Sequence, residues 1–190
     1  MLKIPCLLPK LFLRLNGSKF GKCLKLIGWP FIYKSSRATL RIGDNCRINS
    51  NFFSNLLGLY HRTIIIAKGT SNIIIGDNVG ISGATIYAWE KIEIDDNTLI
   101  GANTKIFDND FHPIDSEARL CDDLSKVVPK PVKVGKNVFV GCNCIILKGT
   151  VIGDNCVIGA GSVVNGIFED NCIIAGNPAR IVRKLQVTDI

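Results

Sequence analysis

Apolar positions in the carboxyl-terminal half of the chain recur every six residues: Val134, Val140, Ile146, Ile152, Ile158 and Val164 follow one another without a slip. Four of them open glycine-bearing turns, "VGKN" at 134, "VGCN" at 140, "IGDN" at 152 and "IGAG" at 158. The same tetrad stands upstream as "IGDN" at Ile42 and Ile75, and as the weaker "IDDN" at Ile94. A period of six excludes an amphipathic helix, whose apolar positions recur at 3.6. Short β-branched strands joined by turns at Gly, Asp and Asn put one aliphatic side chain per hexad into a common interior. Successive coils then stack at the strand spacing of about 4.8 Å and pair in parallel, which is a solenoid.

The same spacing locates an interruption. Val134 to Ile152 is 18 residues and Ile75 to Ile94 is 19, whereas Ile94 to Val134 is 40. One coil of 18 with 22 extra residues accounts for the difference, and "FDNDFHPIDSEARLCDDLSKVVPKP" holds no hexad. The expectation is an all-β domain over residues 40–185 with a protruding loop at 107–131. Residues 106–123 carry five Asp, one Glu and His112, one of two histidines in the chain. That concentration of titratable groups marks the loop as the candidate active site.

Charge changes the picture at the amino terminus. The chain has 190 residues and a net charge of +7, yet residues 1 to 40 hold eight basic residues and no acid, against 15 basic and 16 acidic in the remainder. Residues 1–39 therefore read as a separate basic, amphipathic and partly helical segment. Two readings stay open: an arm lying on an anionic membrane through Leu7, Leu8, Leu11, Phe12 and Leu15, or a helix capping the open end of the repeat array. No apolar run reaches the roughly 20 residues of a membrane span. Pro5, Pro9, Lys10 and Arg14 cut the leading apolar stretch too short for a signal peptide, so a cytoplasmic protein is expected, with the inner membrane face as the place an arm would dock. A nucleic-acid role is disfavoured, since the basic segment carries no reading motif. The eight cysteines contain no CxxC pair, so no metal site is expected; Cys46 and Cys156 share one slot of the repeat, as stacked core positions would.

The run "KVGKNVFVGCNCIILKGTVIGDNCVIGAGSVV", followed by "AGNPARIVRKL", resembles the hexapeptide-repeat acyltransferases, in particular the sugar O-acetyltransferase branch of maltose, galactoside and capsule or lipopolysaccharide acetyltransferases. The resemblance covers about residues 40 to 185. It implies a left-handed parallel β-helix, a homotrimer, and acetyl-CoA as donor in a groove between subunits. It also implies that His112, in "DFHPID", is the catalytic base, and histidine suits removal of a hydroxyl proton at neutral pH. Asp108 and Asp110 precede it closely enough to contact substrate or orient the ring. Where the galactoside enzymes place a substrate-contacting asparagine, this chain reads "GISGATI", leaving Ser82 as the nearest polar candidate. Gly141, Cys142, Ala160 and Gly161 match positions where backbone approaches the pantetheine arm, and Arg180 and Arg183 match residues facing the CoA phosphates. The family's "VVTKD" reads "VVNGI" here, so Asn165 and Gly166 weaken one donor contact. His61, in "LYHRT", has no such context and reads as a surface or interfacial residue.

The expected function is acetyl transfer to a sugar hydroxyl of a surface-polysaccharide precursor, by direct attack with no covalent enzyme intermediate. Serine or an amino-sugar amine is the alternative acceptor, and a non-catalytic trimeric scaffold is the alternative of another class. The hexapeptide-repeat carbonic anhydrases need three zinc histidines per site, one more than the chain has.

Overall fold

The protein is described by a computed structural model over residues 7–186, Leu7 by its backbone alone. Three sheets of seven, eight and six strands form its faces. Six successive coils each give one strand to each sheet. The first is Lys19–Phe20, Lys25–Gly28 and Phe31–Lys34; the fourth is Lys91–Ile94, Leu99–Ile100 and Lys105–Phe107; the fifth is Val132–Val134, Phe139–Val140 and Ile145–Ile146. Neighbouring strands pair in parallel until the last, Cys172–Gly176, which turns back on Ala179–Lys184 in an antiparallel hairpin.

Inward positions stack in register from coil to coil. On the third sheet Ile32 pairs with Ile65, then Ile86, Ile106, Ile146 and Val164 follow, none more than 5% exposed. β-branched side chains suit these columns because one χ1 rotamer already fits the pleat. Each contributes about 1.5–3 kcal/mol by leaving water, which lets strands of two to four residues hold a fold.

The solenoid starts earlier than the sequence indicated. Residues 19–34, placed in the amino-terminal segment 1–39, form the whole first coil, and among the described residues of that segment only Leu7–Leu15 is helical. The tetrad is disguised there because Cys23 (φ 55°) takes the left-handed position that Asn45, Asn78, Asn97, Asn137, Asn155 and Asn171 hold in later coils. The helix does cap the array, with Leu13 buried in the core cluster.

At this first corner the tetrad has a structural cause. Each aspartate accepts from the backbone N–H above it: Asp77 from Asp44 (2.7 Å), Asp96 from Asp77 (2.8 Å), Asp154 from Lys136 (2.7 Å), Asp170 from Asp154 (2.8 Å). The carboxylate occupies the space a Cβ would need on the residue before, so Gly43, Gly76, Gly135 and Gly153 are obligatory. Asp95 breaks the pattern because the residue below Asp96 is Lys136, which presents no carboxylate.

Two segments leave the coils. Residues 51–63 interrupt the second coil between Arg47–Ser50 and Ile64–Ala67, and residues 108–131 separate the fourth coil from the fifth.

Candidate active site

The loop after Phe107 is held at its root. Asp108 is fully buried, and its carboxylate accepts from the backbone N–H groups of Trp89 (2.8 Å), Glu90 (2.7 Å) and Lys91 (2.8 Å) and from the Asn109 amide (3.0 Å). A carboxylate offers about four lone-pair sites, and these contacts use them. Asp108 is therefore a staple onto the preceding corner, not the substrate or imidazole contact expected of it. Asp110 pairs with the Lys148 ammonium, which also donates to the Val128 carbonyl (2.9 Å), tying both ends of the loop to the fifth coil. One oxygen of its carboxylate is thus taken by the ammonium, and no bond joins it to the His112 ring among the described residues.

Between these anchors the chain makes a tight turn. The Asn109 side chain accepts from the Phe111 N–H (2.9 Å), and the His112 N–H donates to the Asp110 carbonyl (2.7 Å). Phe111 has a φ of +63°, and its ring packs edge-on against Tyr87 (4.9 Å) and beside Phe107 (5.5 Å). Arg119 donates to the Pro113 (3.0 Å) and Ile114 (2.8 Å) carbonyls from the short helix Ser116–Leu120. His112 projects from this frame exposed to solvent, and its ring makes no hydrogen bond among the described residues.

The remaining candidates gather on another edge, the corner between the second and third sheets. Gly141 is fixed by stacking: a Cβ there would lie 2.6 Å from the Ala160 nitrogen, so coil contact alone already requires its smallness. Outside it the surface is open. Cys142 is half-buried, Ala160 and Gly161 are exposed, and nothing lies within 4 Å of where a Gly161 Cβ would stand. The Ala160 N–H finds no acceptor among the described residues. Beyond them, Arg180 pairs across from Ala175 and Arg183 from Ile173 on the terminal hairpin, both exposed. Ser82 lies on the same edge in the third coil, 9% exposed, its hydroxyl receiving the Asn49 amide (3.0 Å). A cavity of about 240 Å³ lined by Arg47, Asn49, Ser82, Leu99 and Phe139 runs beside it.

Residues 51–63 descend along this edge, and the sequence reading missed them. The Tyr60 N–H donates to the Asn103 side chain (2.9 Å), which returns a bond to the Gly58 carbonyl (3.1 Å), while Leu59 is buried over Gly83. Phe52, Phe53, Leu56, Leu57 and Tyr60 stay exposed. The His61 ring bonds only the neighbouring Arg62 carbonyl (2.7 Å).

Burial pushes the thiols of Cys46, Cys144 and Cys156 up from their ordinary value, against formation of a thiolate. Among the described residues no cluster of His, Cys, Asp and Glu could hold a metal ion.

The pattern of the bacterial transferase hexapeptide (six repeats) matches residues 131–166. The putative lipopolysaccharide biosynthesis O-acetyl transferase WbbJ of Escherichia coli K12 is 35% identical over 171 residues, which are 87% of this chain and 81% of that protein. The chain belongs to the hexapeptide-repeat acyltransferases. Its fold is accordingly the left-handed parallel β-helix, against the usual right-handed crossover. A putative acetyltransferase of Saccharomyces cerevisiae, YJL218W, is 41% identical over 120 residues; the match covers 63% of this chain and 59% of the yeast protein, less than two thirds of its length. A galactoside acetyltransferase in complex with coenzyme A superposes with a TM-score of 0.56 at 25% identity, over 97% of this chain and 82% of that one.

Proposed function

We propose that the protein is an acetyl-CoA-dependent O-acetyltransferase that works as a homotrimer on a sugar hydroxyl of a surface-glycan precursor. The observation that carries the reading is His112, an exposed imidazole on a backbone anchored from several sides. It removes the proton of the acceptor hydroxyl as that oxygen attacks the thioester carbonyl carbon. The carbon–sulfur bond then breaks, and the thiolate of CoA takes the proton back from the imidazolium. A positioned base of this kind contributes about 10²- to 10⁴-fold.

The donor edge fits a thin, amide-bearing arm that ends in phosphates. Open space at Gly161, the unpaired Ala160 N–H and the Arg180 guanidinium lie in sequence along one corner. Guanidinium suits phosphate. A galactoside acetyltransferase of this fold was crystallised with coenzyme A, and the WbbJ relative is named for lipopolysaccharide biosynthesis. These support the donor and the acceptor class in turn.

The width of a sheet supports the trimer. His112 leaves from one end of the third sheet, and the donor edge lies at its other end. The strand Thr85–Ala88 between them spans about 13 Å at 3.3 Å per residue. That span separates the histidine from its own donor edge and supports a site shared with a neighbour in a closed ring.

The test is complementation. His112→Ala lacks the base and Ala160→Trp blocks the donor edge, so each alone loses acetyl-CoA-dependent acetylation of a glycan panel, read by mass spectrometry. Co-expressed, they assemble mixed trimers in which about a quarter of the seams join an intact histidine to an intact edge. Recovery near that fraction supports the reading. Unchanged product with His112→Ala, or no recovery on mixing, would overturn it.

A further inference from the structure

The cap helix has a surplus of apolar surface. A helix closing the end of a repeat array needs one apolar face inward and a polar face outward. Leu7–Leu15 spends Pro9 and Leu13 on the interior, Leu13 being 1% exposed. Yet Leu8, Leu11, Phe12 and Leu15 remain 53, 52, 49 and 78% exposed. Their spacing of i, i+3, i+4 and i+7 gathers them into one stripe, turned by more than a quarter of the circumference from the buried pair at about 100° per residue. Lys10 and Arg14 occupy the remaining side, with Arg14 over the Phe20 ring (5.4 Å). Such a helix has a core face, a basic face and a third, apolar face that nothing among the described residues covers.

Charge identifies what covers it. The first acidic residue of the sequence is Asp44; the 43 residues before it contain nine Lys and Arg. The first coil beside the helix therefore shows Lys19, Lys22 and Lys25 exposed, with no carboxylate paired to them among the described residues. A protein partner matched to this end would have to be acidic and apolar at once. An anionic bilayer is that combination over its whole area.

We infer that this end of the prism docks on an anionic lipid surface, the stripe entering the interface and the first-coil lysines meeting the headgroups. Because the helix closes the end of the stack, docking stands the prism axis across the membrane plane and leaves the His112 loop, three coils away, above the surface. Half-burying four such side chains is worth roughly 10³ in partition coefficient, and each lysine at an anionic surface adds to it.

Flotation of the full chain with vesicles of phosphatidylcholine mixed with phosphatidylglycerol, and with pure phosphatidylcholine vesicles, tests this. The wild type is expected to float with the anionic vesicles only. Leu11→Glu/Leu15→Glu, at exposed positions that leave the core intact, should cut binding at least about 100-fold with an unchanged melting temperature. Phe52→Glu/Phe53→Glu, on the other apolar prominence, should bind as wild type. No flotation of the wild type, equal flotation of the stripe variant, or loss only in the Phe52/Phe53 variant would overturn the inference. So would a change of oligomeric state in Leu11→Glu/Leu15→Glu by sedimentation, which would make the stripe a contact between copies. Flotation does not read acetyl transfer, so either proposal can fail without the other.

Discussion

The rule that glycine must precede a residue whose N–H donates to the aspartate of the next coil can be tested at the fourth coil, where the next coil lacks that aspartate. In the fourth coil Asp95 stands where Gly76 and Gly135 stand above and below, and Lys136 stands where an aspartate would accept from the Asp96 N–H. Asp95→Gly removes a half-exposed pair with Lys133 (3.5 Å), worth a few tenths of a kcal/mol, and adds about 0.5–1 kcal/mol of glycine entropy. Its cost should be about 1 kcal/mol. Lys136→Asp alone creates an acceptor that cannot reach its rung because the Asp95 Cβ fills the space, and it sets a third carboxylate beside Asp95 and Asp96; that should cost about 1–2 kcal/mol. Together the substitutions restore the rung, a hydrogen bond to a charged acceptor worth about 1.5–3 kcal/mol. The double variant should thus approach wild type, with a coupling of about 2 kcal/mol in a double-mutant cycle. Urea denaturation at one protein concentration measures it, since assembly would otherwise shift the midpoint. Additivity within about 0.5 kcal/mol would mean that the Asp95 exception has another cause.

Asp108→Ala removes the buried acceptor of three part-buried backbone N–H groups, so it should lower stability by about 2–3 kcal/mol in the same assay and loosen the His112 loop to limited proteolysis. Burial raises the Cys46, Cys144 and Cys156 thiols, so above about pH 8.5 the unfolded chain releases protons that the native state retains. Their contribution is then complete below that pH and declines above it, by up to about 1.4 kcal/mol per pH unit for each thiol; the triple Cys→Val variant should lose less stability on going from about pH 7 to about pH 10.

The repeat was readable because its cause is local: an aliphatic residue inward, a glycine under a carboxylate, an asparagine in the left-handed region. Where another residue fills such a slot the signal fails, as Cys23 shows for the first coil. The long loop was legible from one interval, Ile94 to Val134, and the same arithmetic applied to Ile42 and Ile75 gives 33, or one coil and 15 more residues. Most of that excess is the 13-residue segment 51–63, hidden because its "NFFSNLLGLY" is apolar enough to pass for coil. At the candidate site, residue type did not reveal partners. Asp108 and Asp110 sit where an orienting carboxylate would, but the backbone of the Trp89 corner and the Lys148 ammonium engage them. Gly141 matched a ligand-facing position, yet the coil below already requires it to be small.

A base of the kind proposed for His112 must be both outside the stack and fixed, and a β-helix makes these demands conflict. Inside a coil every outward residue is positioned by the coils above and below, so nothing can project far. An insertion can project, but chain that has left the ladders has lost the bonds that hold it. Here the conflict is resolved within a few residues of the histidine: Asp108 is stapled to the preceding corner, Asp110 is bridged to the following coil, and Arg119 closes the turn behind. Phe111 carries the cost. A bulky residue at a φ of +63° is strained by about 1 kcal/mol or more, offset by its ring against Tyr87 and Phe107 and by its N–H bond to the Asn109 side chain. The strained residue thus immediately precedes the histidine, so the same left-handed turn that seats the phenyl ring on the sheet fixes the backbone from which the exposed His112 extends.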